Sequence, residues 1–313
     1  MLFGAHCSTA GGFHLAVQRS LQIGGEICQI FVKNNMQWFG KAPAETDLGL
    51  YRDELRKGKL LTVFGHTGYL INLAAGASSN RDISLRSLIQ EIEFATVLNL
   101  PFLVLHPGAH LGTGDQAGIG QLVSGLNEVL AATKASQVRI ALENTAGQGS
   151  CLGHRMDHLA EVFNRVDQPR RLAVCLDTAH FFAAGYDIRS PKGWDSAIEE
   201  VARLVGIGQI VAFHLNDSKT ELGSRVDRHE HIGKGLIGKA AFRHIVNDAR
   251  FAKTPGCLET PKSKDLKEDV MNLKLLRSLV ESEKGRAKPK SRLKPEKGER
   301  AATLRRVSRR PLT

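Results

Sequence analysis

The chain has 313 residues, 42% of them hydrophobic, which suits one large α/β barrel or two ordinary domains with a soluble core. It has no apolar run long enough to span a bilayer and no signal-peptide pattern, so a cytoplasmic protein is expected and a membrane protein is not. The formal charge of +11 is uneven: residues 284–313 hold twelve Lys and Arg against two Glu, and residues 1–283 hold thirty-one basic against thirty acidic side chains.

In chain order, apolar or β-branched runs recur as "LFGAHC" (2–7), "EICQIFV" (26–32), "LLTVFGH" (60–66), "FLVLHP" (102–107), "RIALEN" (139–144), "LAVCLD" (172–177), "IVAFHLND" (210–217) and "GCLET" (256–260). Amphipathic helical spacing lies between or after them in four places: Leu85, Leu88, Ile89, Ile92; Ile119, Leu122, Val123, Leu126; Leu159, Val162, Phe163, Val166; and Ile198, Val201, Leu204, Val205. A fifth pattern, Val270 to Val280, follows the last run. Alternation of strands and helices implies parallel pairing with right-handed crossovers. Eight such units over residues 1–283 predict a TIM (β/α)8 barrel, with a doubly wound sheet as the alternative. The basic segment 284–313 has little apolar content and no sustained period, so it is expected to be disordered.

Polar residues collect where the runs end. His66, His106, Glu143, Asp177, His214 and Glu259 close the third to eighth runs, His180 sits in the loop after the sixth, and "VDRHEHIGKG" adds Asp227, His229 and His231. Singly, each has a structural explanation: a hydrogen-bonded core histidine, or a carboxylate capping the next helix. Together, so many buried acids and imidazoles cost several kcal/mol per uncompensated charge, roughly, unless cations compensate them. Five His and four carboxylates make a nitrogen and oxygen ligand set suited to catalytic Zn²⁺, and nine ligands can supply three such ions; Mn²⁺ or Fe²⁺ would fit some positions. The five cysteines, Cys7, Cys28, Cys151, Cys175 and Cys257, include no C-x-x-C pair. Reduced, mostly buried thiols are expected, and a thiolate zinc site is not.

With those residues placed, the chain resembles the endonuclease IV family of apurinic/apyrimidinic endonucleases over about residues 1–281. The resemblance is carried by "GAHCS", "QIFVKNNMQW", "GHTGYLINLA", "LHPGAH", "ALENTAGQG", "CLDTAHFFAAGYD", "HLNDSK", "DRHEHIGKG" and "LET", all in order. It implies a three-zinc TIM barrel that hydrolyses the DNA phosphodiester 5′ to an abasic site in double-stranded DNA. Such an enzyme leaves a 3′-hydroxyl and a 5′-deoxyribose phosphate, and trims blocked 3′ ends. Carried over by residue, His66, His106 and Glu143 match the first zinc site. Glu143, Asp177, His214 and Glu259 match the second and form the catalytic set; His180, Asp227 and His229 match the third. Glu143 is then the bridge between the first two ions. Asn34, Asn35, Met36 and Tyr69 match loop positions that enter the minor groove, although Met36 stands where many members carry Arg.

The resemblance also implies a monomer acting at a bacterial nucleoid or, in a eukaryote, in the nucleus. His231 is read as supporting the site or as structural, and His6 faces the site without a ligand role. His110 is placed in a loop near the site, and His14, His154, His158 and His244 on the surface. Two other readings compete. A divalent-metal sugar isomerase or epimerase on a similar barrel would leave His180, Asp227 and His229 idle. A noncatalytic nucleic-acid-binding protein, with affinity supplied by the basic tail, would be indifferent to chelation.

Overall fold

The computed structural model describes residues 1–76 and 79–281, the side chain of Ser79 excepted. Met1–Val280 form one compact unit; the basic segment expected to be disordered lies outside the described residues. Eight parallel strands close a barrel: β1 (Leu2–His6), β2 (Ile27–Phe31), β3 (Thr62–His66), β4 (Phe102–Leu105), β5 (Arg139–Glu143), β6 (Leu172–Asp177), β7 (Ile210–His214) and, after a hairpin of β8 (Asp217–Ser218) and β9 (His229–Glu230), β10 (Pro255–Leu258). They follow one another around the barrel in sequence order, and β10 closes against β1. The expected TIM barrel is therefore the fold, and all eight apolar runs are its strands.

Helices wrap the strands: α1 (Phe13–Gln22), α2 (Glu45–Lys57), α3 (Ser79–Val97), α4 (Asp115–Ala132), α5 (Met156–Arg165), α6 (Thr178–Ala184), α7 (Pro191–Leu204), α8 (Lys239–Val246) and α9 (Lys267–Leu279). A main apolar cluster, including Leu88, Ile92, Leu126, Leu159, Ile198, Phe242 and Leu273, holds the helices to the outer strand faces. A second, smaller cluster fills the barrel itself: Ile27, Phe64, Phe102, Val104, Ala141, Ala173, Cys175, Ala212 and Cys257. Side chains on a strand alternate faces, so the residue two places beyond the last of these on each strand points inward at the C-terminal rim. By that parity Ile27 leads to Gln29, Phe64 to His66, Val104 to His106, Ala141 to Glu143, Cys175 to Asp177, Ala212 to His214 and Cys257 to Glu259.

Four details differ from expectation. His106 and Glu259 stand one residue beyond β4 and β10, and His180 lies in the first turn of α6 and not in a loop. His229 belongs to the β8–β9 hairpin. His154 and His158 are buried and not surface residues, and their rings meet edge to face; His14 and His244 are half-buried. Cys7, Cys28, Cys175 and Cys257 are buried free thiols, whereas Cys151 is partly exposed. Among the described residues no helix is long and apolar enough to cross a membrane.

Candidate metal centre

The rim brings all nine candidate ligands together. His66, His106 and Glu143 offer atoms that all lie within 4.8 Å of one another, as do Glu143, Asp177, His214 and Glu259, and Asp177, His180 and His229. Glu143 is common to the first two sets and Asp177 to the last two. Asp227 reaches the third set from the side, with Oδ2 3.1 Å from His180 Nε2 and Oδ1 3.3 Å from His229 Nε2. Glu143 Oε2 faces His66 Nε2 at 3.3 Å and His106 Nε2 at 3.1 Å, while Oε1 faces His214 Nδ1 at 2.8 Å. One carboxylate thus offers one oxygen to each of two sets, the geometry a bridge requires.

The rings are oriented from behind. His66 Nδ1 donates to the Thr67 carbonyl (2.7 Å), His180 Nδ1 to the Asn144 carbonyl (2.9 Å) and His229 Nδ1 to the Glu259 carbonyl (3.3 Å). A carbonyl can only accept, so each of these nitrogens carries the proton and each Nε2 presents a lone pair to the centre. His180 Nε2 and His229 Nε2 are buried and face the Asp227 carboxylate. A bare lone pair facing carboxylate oxygens is costly, so each of these nitrogens must carry either a proton or a cation. The donor set, five imidazoles and four carboxylates, fits borderline divalent cations.

Sequence reasoning passed over Gln29, the inward residue of β2. Its Nε2 donates to Glu259 Oε1 (2.6 Å) and to His6 Nδ1 (2.8 Å), which leaves its Oε1 to accept from His214 Nε2–H (2.8 Å). His214 therefore turns Nδ1 toward Glu143, Glu259 and Asp177. Asn144 and Asn216 were missed as well. Asn144 exchanges hydrogen bonds with the Asp177 backbone, and Asn216 Nδ2 donates to Asp177 Oδ2 (2.6 Å) while its Oδ1 accepts the Glu259 N–H. The signal for Gln29 was its parity, and for the asparagines their position directly after Glu143 and two residues after His214.

The electrostatics follow from burial and crowding. Burial by itself pushes the Glu143 carboxyl up, but His214 and His106 overcome it and hold the group well below the usual carboxylate range. Burial likewise opposes ionisation of Asp227, yet His180, His229 and His106 bring it down to about 2. His6 is lowered by burial, which its contact with Glu259 only partly offsets; its Nδ1 accepts from Gln29, so it stands beside the centre as a neutral support. His231 is held by Asn272 Nδ2 at 3.1 Å. His110 Nδ1 accepts the Gly112 and Gly114 N–H groups and shapes the loop leading into α4.

Two openings reach the centre. One is lined by His106, Ala109, Gln148, Cys151, His180, Asp227 and Arg228, the other by His66, Tyr69, Asn72, His106 and Cys151. A larger groove between α2 and α3 is lined by Tyr51, Leu55, Leu61 and Val97 and lies away from the ligands. At the rim, Met36 is 64% and Tyr69 62% exposed; Asn34 is exposed and Asn35 half-buried. The structure places these four on the loops after β2 and β3, joined where the Tyr69 N–H donates to the Asn35 carbonyl (3.2 Å).

Residues 17–279 match the family described as xylose isomerase-like TIM barrel. A probable endonuclease 4 of Chloroflexus aurantiacus is 47% identical over 279 residues, covering 89% of this chain and 98% of that protein. The crystal structure of endonuclease IV from Thermus thermophilus superposes with a TM-score of 0.79 at 30% identity, over 89% of this chain and 98% of that one. A D-tagatose 3-epimerase-like protein superposes with a TM-score of 0.67 at 19% identity, over 90% and 98% of the two chains, a likeness of fold alone.

Proposed function

The chain belongs to the endonuclease IV family, and from that premise we propose that it is a DNA-repair nuclease that hydrolyses the phosphodiester 5′ to an abasic site in duplex DNA. The products would be a 3′-hydroxyl and a 5′-deoxyribose phosphate, and blocked 3′ ends would be trimmed by the same chemistry. The observation that carries this reading is the chain of three ligand sets joined through Glu143 and Asp177. A small-sugar enzyme on the same barrel has no evident use for so extended a centre.

His66, His106 and Glu143 would hold the first zinc ion, Glu143, Asp177, His214 and Glu259 the second, and His180, Asp227 and His229 the third. When bound, such ions supply Lewis acidity that activates water and offsets charge on the attacked phosphate. The protein's own part is to hold His66, His180, His214 and His229 in the tautomer that turns the other ring nitrogen inward, and to keep Glu143 ionised and shared between two sets. Asp227, whose side chain is partly exposed at an opening to the centre, lies where a phosphate would enter. Met36 and Tyr69, both exposed, would enter the minor groove as wedges beside Asn34 and Asn35. An abasic nucleotide lacks pairing and stacking and is cheaper to displace than an intact one.

The test is incision of an end-labelled duplex carrying one abasic analogue, with an intact duplex as control, before and after chelation, alongside a metal count. The expected outcome is 5′ incision of the abasic duplex alone, lost on chelation and restored by zinc, with about three ions per chain. A fully metal-loaded protein that leaves the abasic duplex intact would end this reading.

A further inference from the structure

Beneath Met36 and Tyr69 lies a buried ion pair. Lys33 Nζ stands 2.8 Å from Glu91 Oε1, and both side chains are almost wholly enclosed. The same ammonium donates to the Gln37 carbonyl at 2.6 Å, closing residues 33–37 over itself. The Glu91 carboxylate accepts the Gly68 N–H with both oxygens, at 3.2 and 3.1 Å. One pair therefore ties together the loop after β2, the loop after β3 and helix α3. Neighbouring residues on the same face of α3 add to the attachment: Ser87 Oγ donates to the Trp38 carbonyl (2.6 Å) and Gln90 Oε1 accepts the Gly40 N–H (2.8 Å). The fit is close, since a Cβ on Gly68 would come within 3.0 Å of Lys33 Nζ, 3.1 Å of the Asn35 carbonyl oxygen and 3.3 Å of Glu91 Oε1.

A buried ion pair is a poor means of filling space. Desolvation offsets much of its attraction, and an apolar pair of similar volume often holds a fold as well or better. What an apolar pair cannot do is bond the Gln37 carbonyl and the Gly68 amide. We infer that Lys33 and Glu91 are positioning residues for substrate recognition, fixing the two loops so that Met36 and Tyr69 meet DNA as one preformed wedge. The inference rests on the nuclease reading above. Its physical basis is that loops ordered only on binding subtract from affinity, whereas loops ordered beforehand do not.

The test uses the full-length, metal-loaded protein. In the double variant Lys33→Met with Glu91→Leu, the pair becomes apolar at near-native volume and both backbone ties are lost. Expected are a modestly lowered thermal midpoint, because the Gly68 amide and the Gln37 carbonyl lose their partners, unchanged metal content, kcat within about twofold, and a KM for abasic duplex raised about tenfold, equivalent to about 1.4 kcal/mol. Glu91→Gln keeps an oxygen for Gly68 and should raise KM only about threefold, equivalent to about 0.7 kcal/mol. Should the double variant fail to fold, Lys33→Met with Glu91→Gln takes its place, with a raised KM again expected. A folded, metal-replete variant with wild-type KM would overturn the inference, as would a fall in kcat in step with metal loss. Absence of incision by the wild-type protein would remove the nuclease reading and this inference with it, whereas wild-type incision with unchanged KM in the variants removes the inference alone.

Discussion

Gln29 stands between two candidate ligands, giving a hydrogen bond to Glu259 and receiving one from His214. Its amide therefore sets which His214 nitrogen is free. The cation-free chain resists that arrangement by holding protons. Burial lowers His180 and His214, but Asp177 and Asp227 around the first, and Cys175, Glu143 and Glu259 around the second, raise both well above the usual imidazole range. A group with a raised pKa stays protonated to higher pH, and a cation must displace that proton to reach the nitrogen. Cation affinity is thus expected to rise with pH and to fall as pH drops through and below the raised range. Titration calorimetry in buffers of different ionisation enthalpy at about pH 7 should show net proton release on zinc addition. Gln29→Leu should weaken zinc binding or incision by about 10–100-fold, the usual effect of removing a ligand's hydrogen-bond partner. Absence of proton release, or wild-type affinity in the variant, would count against this account.

The hairpin of β8 and β9 shows how an element delivers candidate ligands that no barrel strand carries. Asp217, buried in β8, accepts the N–H groups of Ser218, Ile237 and Gly233, each at 2.9 Å, and of Gly238. It pins both ends of the excursion that carries Asp227 and His229. Asp217→Ala would orphan several amides at about 1–3 kcal/mol each if they stay buried. The segment is expected to open instead, so that a metal count falls by about one ion per chain while the first two sets keep theirs. Equal loss from all three sets would show that the hairpin does not act separately. This excursion also marks where the sequence stopped being legible. The eight strands were readable because each was an apolar or β-branched run, and the third to eighth carried a polar residue at or near the end. Helices α3, α4, α5, α7 and α9 were readable from i, i+3, i+4 stripes. Helices α1 and α2 were passed over, although Phe13, Ala16, Val17 and Leu21 in α1 and Leu48, Tyr51 and Leu55 in α2 follow helical spacing and pack on the core. The helical placement of His180 was hidden because α6 runs only seven residues and is buried through most of its length. There the signal was Asp177, whose side chain accepts the His180 N–H and caps the helix while its other oxygen faces the centre.

Taken whole, the molecule divides its charge between a nearly neutral segment, residues 1–283, and a segment 284–313 with a net charge of +10. DNA affinity at physiological salt depends heavily on phosphates neutralised and counterions released, with log K falling by about 0.9 per contacted phosphate for each unit of log salt. The loops after β2 and β3 would add little to that count: Met36 is apolar, and Lys33 is committed to Glu91 inside the protein. Nonspecific attraction would then fall to the basic segment, while the rim supplies specificity and chemistry. Removal of residues 284–313 is expected to weaken binding to both abasic and intact duplex by similar factors, because phosphates are common to the two. It should also flatten the dependence of log Kd on log salt, and leave kcat on saturating abasic duplex within about twofold. Binding isotherms from about 50 to 300 mM salt would measure this directly. An unchanged slope would place the phosphate contacts within residues 1–283, where Arg225 and Arg228 carry positive charge on the β8–β9 excursion.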